Sequence, residues 1–378
     1  MSTNVVLHLR TESAPLGHIA VLTPDYTRQL IEAGVTVHVE RSKDRCYADV
    51  DYEAAGAKLV PQGSWPEAPI DHIIVGTKEP EGLQDKTALK HTHIYSGYYY
   101  KQQRSAILGL QRYQRGGGTF IDVGATKHLL GNKTDIFGRF SGIGSFAAAL
   151  KTLRHVLEHP EGKTPMPRVK IHESLESLIQ EGRKNVEKCV EILGRYPVVT
   201  IVGAAGRAGS GCLEFCRKSG IPESNINKWS RKETSQPGPY HGLLQSDVVV
   251  NCLYTNRRIS PLIDHESLKL PRKLAVFVDV SCDYQGPYHA VPIYWEPSHF
   301  DNLAMPVAVP SGPPLTAVAC NYYAAMVPKE TSDYAARALM PYFLSLPDWK
   351  RAEELRKLER LFVAKCESIP RATQPSKL

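Results

Sequence analysis

The segment Val198-Val199-Thr200-Ile201-Val202-Gly203-Ala204-Ala205-Gly206-Arg207-Ala208-Gly209-Ser210-Gly211 narrows the fold more than any other part of the chain. A β-branched apolar strand runs into a glycine-dense turn, and the spacing predicts a helix over Cys212 to Lys218. Glycines permit a tight turn and close backbone approach. A helix N-terminus adds unpaired N–H groups and a dipole that favours negative charge. That combination suits the pyrophosphate of a dinucleotide, with Gly203, Gly206, Arg207, Ala208 and Gly209 as candidate contacts. A second strand, Asn225 to Trp229, follows about 20 residues on, where a dinucleotide fold reads the adenosine ribose. It leads into Ser230-Arg231-Lys232, with no carboxylate for a 2′-hydroxyl and two cations suited to a 2′-phosphate. NADPH is therefore the expected cofactor, NADH the alternative, and Ser230 and Arg231 the ribose-end contacts. A solvated basic turn is the other reading of these residues.

At 378 residues the chain is long enough for two domains, each with its own core. Its 42% hydrophobic and 22% charged residues are ordinary for a globular protein. No stretch approaches the roughly 20 apolar residues of a membrane span, and Met1 to Leu7 lacks the features of a secretory leader. The net charge of +7 is spread along the sequence without an aromatic platform, so nucleic acid is not an expected partner. The eight cysteines show no metal-ligand spacing. They are read as reduced, mostly buried thiols of an intracellular protein, and no metal is expected. The terminal Ser376-Lys377-Leu378 matches a peroxisomal address recognised by the import receptor; the peroxisome is the expected location, the cytoplasm the alternative.

Strand and helix alternate from the start. Strands are expected at Val5–Arg10, Val35–Glu40, Ile70–Val75, Leu89–Tyr95 and Thr119–Asp122. Helices are expected at Pro24–Ala33, capped by Thr23, and at Tyr52–Ala57 and Gln103–Tyr113. A glycine-rich segment, Gly138 to Gly144, leads to a helix over Ser145–Leu157, and a helix from Glu187 precedes the Gly203 strand. Asp247–Cys252 and Ala275–Ser281 supply later strands, and Ser332–Ser368 is helical. Such alternation predicts α/β architecture with parallel sheets flanked by helices. Ligand sites of such sheets lie outside the carboxyl ends of the strands. Gly76-Thr77-Lys78, Asp122-Val123-Gly124, Cys252-Leu253-Tyr254 and Val280-Ser281 are accordingly expected to face one interdomain cleft, with Tyr254 and Val280 on the cofactor.

Several segments together resemble the fungal, lysine-forming saccharopine dehydrogenases and, more distantly, alanine dehydrogenase. They include Leu9-Arg10-Thr11-Glu12, Gly76-Thr77-Lys78-Glu79, His91-Thr92-His93-Ile94 and Tyr100-Lys101-Gln102-Gln103. Lys228-Trp229 with Lys232-Glu233-Thr234-Ser235, Asn251-Cys252-Leu253-Tyr254 and Val278-Asp279-Val280-Ser281 complete them. The resemblance runs over essentially the whole chain. It implies two Rossmann-like domains with an interdomain active-site cleft. The substrate-side domain would be 1–136 completed by 328–378, and the dinucleotide-binding domain 137–327. It implies oxidation of a secondary amine through an imine, or the reverse, with a lysine and a histidine as acid–base groups. It adds Thr234 to the cofactor contacts.

Lys78 matches the lysine, whereas Tyr98 stands where the histidine is expected. Lys101 and Gln103 match substrate-side positions, Lys101 suiting a carboxylate, and Phe137 an apolar wall. Other positions depart from the pattern: Ile19 and Lys133 stand for arginines, Gly124 for a glutamate, Asn321 for an aspartate and Ser230 for the ribose aspartate. Ala208 replaces a cysteine that would pair with Cys252. The expected function is thus an NADPH-dependent oxidoreductase for an imine, amine or 2-oxo acid. Lys78 and Tyr98 would handle protons, and Lys101, Gln103, Lys133, Phe137 and Asn321 would line the substrate. An NAD-dependent saccharopine dehydrogenase is the alternative, a non-catalytic nucleotide-binding relative the second. A monomer is expected.

Overall fold

The computed structural model describes residues 5–80, 87–99, 104–125, 135–255 and 257–370. Lys101, Gln103, Lys133 and the terminal Ser376-Lys377-Leu378 lie outside the described residues. The chain divides into two compact units, 1–136 with 328–378, and 137–327.

The first unit runs β1 (Val6–Leu9), α1 (Pro24–Glu32), β2 (Thr36–Glu40), α2 (Asp49–Ala54), β3 (Lys58–Val60), β4 (Ile73–Val75), β5 (Thr92–Tyr95), α3 (Arg104–Gly116) and β6 (Thr119–Asp122). Its six strands lie in the order β3-β2-β1-β4-β5-β6, every pair parallel. Short runs such as Ile73-Ile74-Val75 are buried throughout, as strands covered on both faces must be. Thr23 holds the N-cap position of α1, with Pro24 at the first turn, yet its side chain makes no capping bond. Tyr95, Tyr99, Tyr113 and Phe120 form an aromatic core against which Phe362 packs.

The second unit contains α4 (Gly138–Glu158), α5 (Leu175–Leu193), β7 (Val199–Val202), α6 (Arg207–Lys218), β8 (Ile226–Trp229), α7 (His241–Leu244), β9 (Val248–Asn251), β10 (Val276–Asp279), β11 (Met305–Val307) and β12 (Leu315–Val318). The strand order is β11-β12-β10-β9-β7-β8, parallel except for the edge strand β11. The chain then returns to the first unit with α8 (Pro328–Leu344) and α9 (Glu353–Ser368), and α9 packs beside β6 and α3. Both units are Rossmann-like.

The glycine-rich segment 138–144 is not a lead-in but part of α4 itself. A Cβ on Gly142 would collide with the carbonyl of Ala208, and one on Gly211 with the carbonyl of Arg139. These glycines let α4 and α6 touch backbone to backbone, a tertiary demand that outweighs glycine's poor helix propensity of about 1 kcal/mol. α5 starts at Leu175 rather than near Glu187, where the Ser174 side chain caps the Ser177 N–H, and ends at Gly194 with φ +66°. No helix among the described residues is long and apolar enough to cross a membrane.

Candidate active site

In the second unit, the residues expected around a dinucleotide gather at the carboxyl edge of one sheet. Gly203 follows β7 with φ +79°, a conformation open to glycine, and a Cβ there would stand 3.1 Å from the Cys252 carbonyl oxygen. Gly206 is the N-cap of α6, so the helix starts at Arg207, earlier than Cys212. No side chain caps this end and no acidic residue stands in its first turn. The helix N-terminus therefore keeps its attraction for an anion, and the turn fits a pyrophosphate. Gly209 is buried against Gly203, where a side chain would strike the Gly203 carbonyl. Tyr254 follows β9 and is 41% exposed; Val280 follows β10 and its N–H donates to the Asn251 carbonyl at 2.9 Å. Asn321 is exposed beyond β12, and Phe137 is buried immediately before α4.

The turn after β8, expected to meet a ribose, is built differently from the sequence reading. The turn after β8 folds back so that one oxygen of Glu233 accepts the Ser230 N–H at 2.6 Å and the Ser230 hydroxyl at 2.8 Å. Thr234 Oγ1 donates to the Ser230 carbonyl at 3.2 Å. A carboxylate is therefore present at this corner, supplied from three positions further on, while Arg231 is exposed. The Ser-x-x-Glu spacing, known from capping boxes, is the sequence signal for this carboxylate. A second feature was hidden too. Cys212 Sγ lies 3.5 Å from Cys252 Sγ, so Cys252 has a thiol neighbour even though position 208 is alanine. All eight cysteines are free.

In the first unit, Lys78 and Tyr98 come together beyond the ends of β4 and β5. Lys78 Nζ sits 4.8 Å from the Tyr98 ring centroid, over its face. The backbone carrying Lys78 is held by buried charges: its N–H donates to Glu12 at 3.1 Å, its carbonyl accepts from Arg10, and Arg10 pairs with Glu12 at 3.2 Å. Burial pushes the Glu12 carboxyl up, against the opposing pull of Arg10 and of the Lys78 and Thr77 N–H groups.

Tyr98 has φ +54°, which a residue with a side chain rarely adopts. Asp122, at the end of β6, holds it there. Its two oxygens accept the N–H groups of Gly97 at 3.1 Å and Tyr99 at 3.0 Å, the residues on either side, and also that of Gly124 at 3.0 Å. Burial nevertheless raises the Asp122 carboxyl to about 6, and burial raises Glu79 to about 7 against its Tyr99 hydrogen bond. A Cβ on Gly124 would lie 2.8 Å from Ser96 Oγ and 3.2 Å from a Tyr98 ring carbon. The absent side chain at 124 and the larger ring at 98 are thus one packing arrangement. Ile19 is buried at 5% exposure, and its neighbour His18 is spent on the Asp44 carbonyl at 2.6 Å.

Two Rossmann-like units, one with an uncapped glycine turn and the other with a lysine beyond a central strand, define a two-domain dinucleotide-dependent dehydrogenase. The chain is 39% identical over 368 residues to saccharopine dehydrogenase [NAD(+), L-lysine-forming] of Neurospora crassa, covering 97% of each, and 36% identical over 363 residues to that of Yarrowia lipolytica, covering 94% of this chain and 97% of the relative. It belongs to the saccharopine dehydrogenase family and is an oxidoreductase of the class acting on CH–NH bonds. Residues 8–144 match the family described as alanine dehydrogenase/PNT, N-terminal domain. An L-alanine dehydrogenase structure shares the fold with a TM-score of 0.61 at 16% identity, covering 96% of this chain and 94% of that one.

Proposed function

We propose that this chain is an NAD-linked dehydrogenase of a saccharopine-type secondary amine. The amine loses hydride to NAD+ and a proton to give an imine that water then hydrolyses to an amine and a 2-oxo acid, or the same steps run in reverse. The curated relatives carry NAD(+) and L-lysine-forming in their names, which favours this alternative over NADPH-dependent imine reduction. Glu233 carries the cofactor side of the reading. Its carboxylate stands on Ser230 at the end of β8, where an acid suits ribose hydroxyls and repels a 2′-phosphate.

When bound, the nicotinamide supplies the hydride acceptor. Gly203, Gly206, Arg207, Ala208 and Gly209 would hold its pyrophosphate, Ser230, Glu233 and Thr234 its ribose, with Tyr254 and Val280 beside it. Lys78 takes the proton from the substrate amine and returns one in the reverse direction. Tyr98 presents its ring face to that ammonium, an attraction of about 0.5–2 kcal/mol. Phe137 and Asn321, with Lys101, Gln103 and Lys133, remain proposed substrate contacts from the resemblance.

The competing NADPH reading has one observation in its favour, the exposed Arg231-Lys232 pair on the same turn. The test is a comparison of saccharopine with NAD+ or NADP+, and of imines with NADH or NADPH, followed at the nicotinamide absorbance. Reduction of NAD+ by saccharopine supports the proposal. Oxidation of NADPH by imines, without saccharopine turnover, overturns it.

A further inference from the structure

Three histidines far apart in sequence meet on one face of the first sheet. β2, β1 and β4 are neighbours there. His8 on β1 pairs in register with His38 on β2, and on its other side with Ile74. His72, two residues before Ile74, shares that face because side chains alternate along a strand. One ring nitrogen from each of His8, His38 and His72 lies within 4.8 Å of the other two. The ring centroids are 5.0 Å apart for His38 and His72, and 6.2 Å for each of these with His8.

The cluster is built like a ligand set. His8 Nε2 meets Glu40 Oε1 at 3.2 Å. Glu40 is itself immobilised by the N–H groups of Thr11 at 2.8 Å, Gly63 at 2.9 Å and Trp65 at 2.8 Å. A carboxylate on one imidazole nitrogen fixes the tautomer and ring orientation and makes the other nitrogen a better donor to a metal. That other nitrogen, His8 Nδ1, is buried with no hydrogen-bond partner, and so is His72 Nδ1. His8 is 2% exposed and His72 7%. Buried polar atoms are normally paired, and two orphans in one cluster of three rings ask for a shared partner. His38 is half-buried, which leaves a way in from solvent. Among the described residues, Lys58, Asp71 and His91 also bring charge or a titratable ring to His38 and His72.

We propose that His8, His38 and His72 bind a divalent transition-metal ion of the zinc type, with Glu40 orienting His8 and the fourth position open to water. Three imidazoles and a water are a common zinc set. Zinc–nitrogen bonds of about 2.1 Å call for the rings to draw closer than they stand here, and His38 is the half-buried one of the three. The ion would tie three strands together before the start of β4, whereas Lys78 lies beyond its other end. The site is thus separate from the one around Lys78, and the proposal does not depend on the substrate.

The test uses the full chain without an affinity tag, stripped of metal and titrated with zinc or cobalt(II) salts. One equivalent per chain is expected. Bound cobalt should give the visible bands of a tetrahedral nitrogen–oxygen site without thiolate charge transfer, and zinc should raise the Tm. His38→Gln and His72→Gln, tested separately, should each weaken binding at least tenfold and abolish the rise in Tm. Wild-type far-ultraviolet circular dichroism and a cooperative melt of the metal-free protein report that each variant is folded. Absence of stoichiometric binding, a thiolate band, or unchanged affinity in a folded variant overturns the proposal. Should one variant fail to fold, the other and the cobalt spectrum decide.

Discussion

Lys78 Nζ stands over the face of the Tyr98 ring, 4.8 Å from its centroid. The geometry brings the ammonium to the π-face of the tyrosine. The tyrosine ring is thus an aromatic platform for the lysine, beside the expectation that the two share protons in catalysis.

Replacement at these two positions should therefore separate. Lys78→Met removes the proton-handling group and is expected to lower turnover by roughly 10²–10⁴-fold. Tyr98→Phe keeps the ring face and should cost less than about tenfold. Steady-state kcat beside dinucleotide affinity, which neither change should move, checks this. Full activity in Lys78→Met would make the lysine structural.

The Glu233 carboxylate on Ser230 should set cofactor choice. The wild-type chain is expected to use NAD+ over NADP+, and Glu233→Gln to narrow that preference about tenfold, since a hydrogen bond to a charged group is worth roughly 1.5–3 kcal/mol. The ratio of kcat/KM for the two cofactors measures it. An unchanged ratio would remove Glu233 from the ribose site.

Glu79 gives the first unit a signature in pH. Burial raises its carboxyl from 4.5 to about 7, so the folded state binds this proton more tightly than the unfolded state. Stability from this group is full below the unfolded value of 4.5 and is lost as pH rises through about 7, by an amount on the order of 1–3 kcal/mol. Wild-type Tm should fall between pH 5 and 7 relative to Glu79→Gln. Parallel melting curves for the two proteins would show Glu79 to be innocent.

Gly142 lies against the Ala208 carbonyl, so a side chain there would push α4 off α6 and displace the dinucleotide turn. Gly142→Ala is expected to destabilise the second unit by about 1–3 kcal/mol and to weaken dinucleotide binding with it. Chemical denaturation and cofactor titration report the two effects. Wild-type values in both would show that the helices separate freely.

What the sequence determined by itself is local. Apolar β-branched runs such as Val248-Val249-Val250, glycine spacing after Val202 and strand–helix alternation specify parallel sheets. They also place Gly203, Ser230, Tyr254, Val280 and Lys78 just past strand ends, because the chain direction of a parallel strand fixes which end its next loop occupies. Tertiary structure decided the rest, since it depends on groups distant in sequence meeting in space. The glycines of α4 read as a loop until α6 is packed on them. Glu233 meets Ser230 only when the turn after β8 folds back, and Asp122 clamps the loop around Tyr98 only once β5 and β6 pair. His8, His38 and His72 become neighbours only through strand order and register, which single-chain periodicity does not encode.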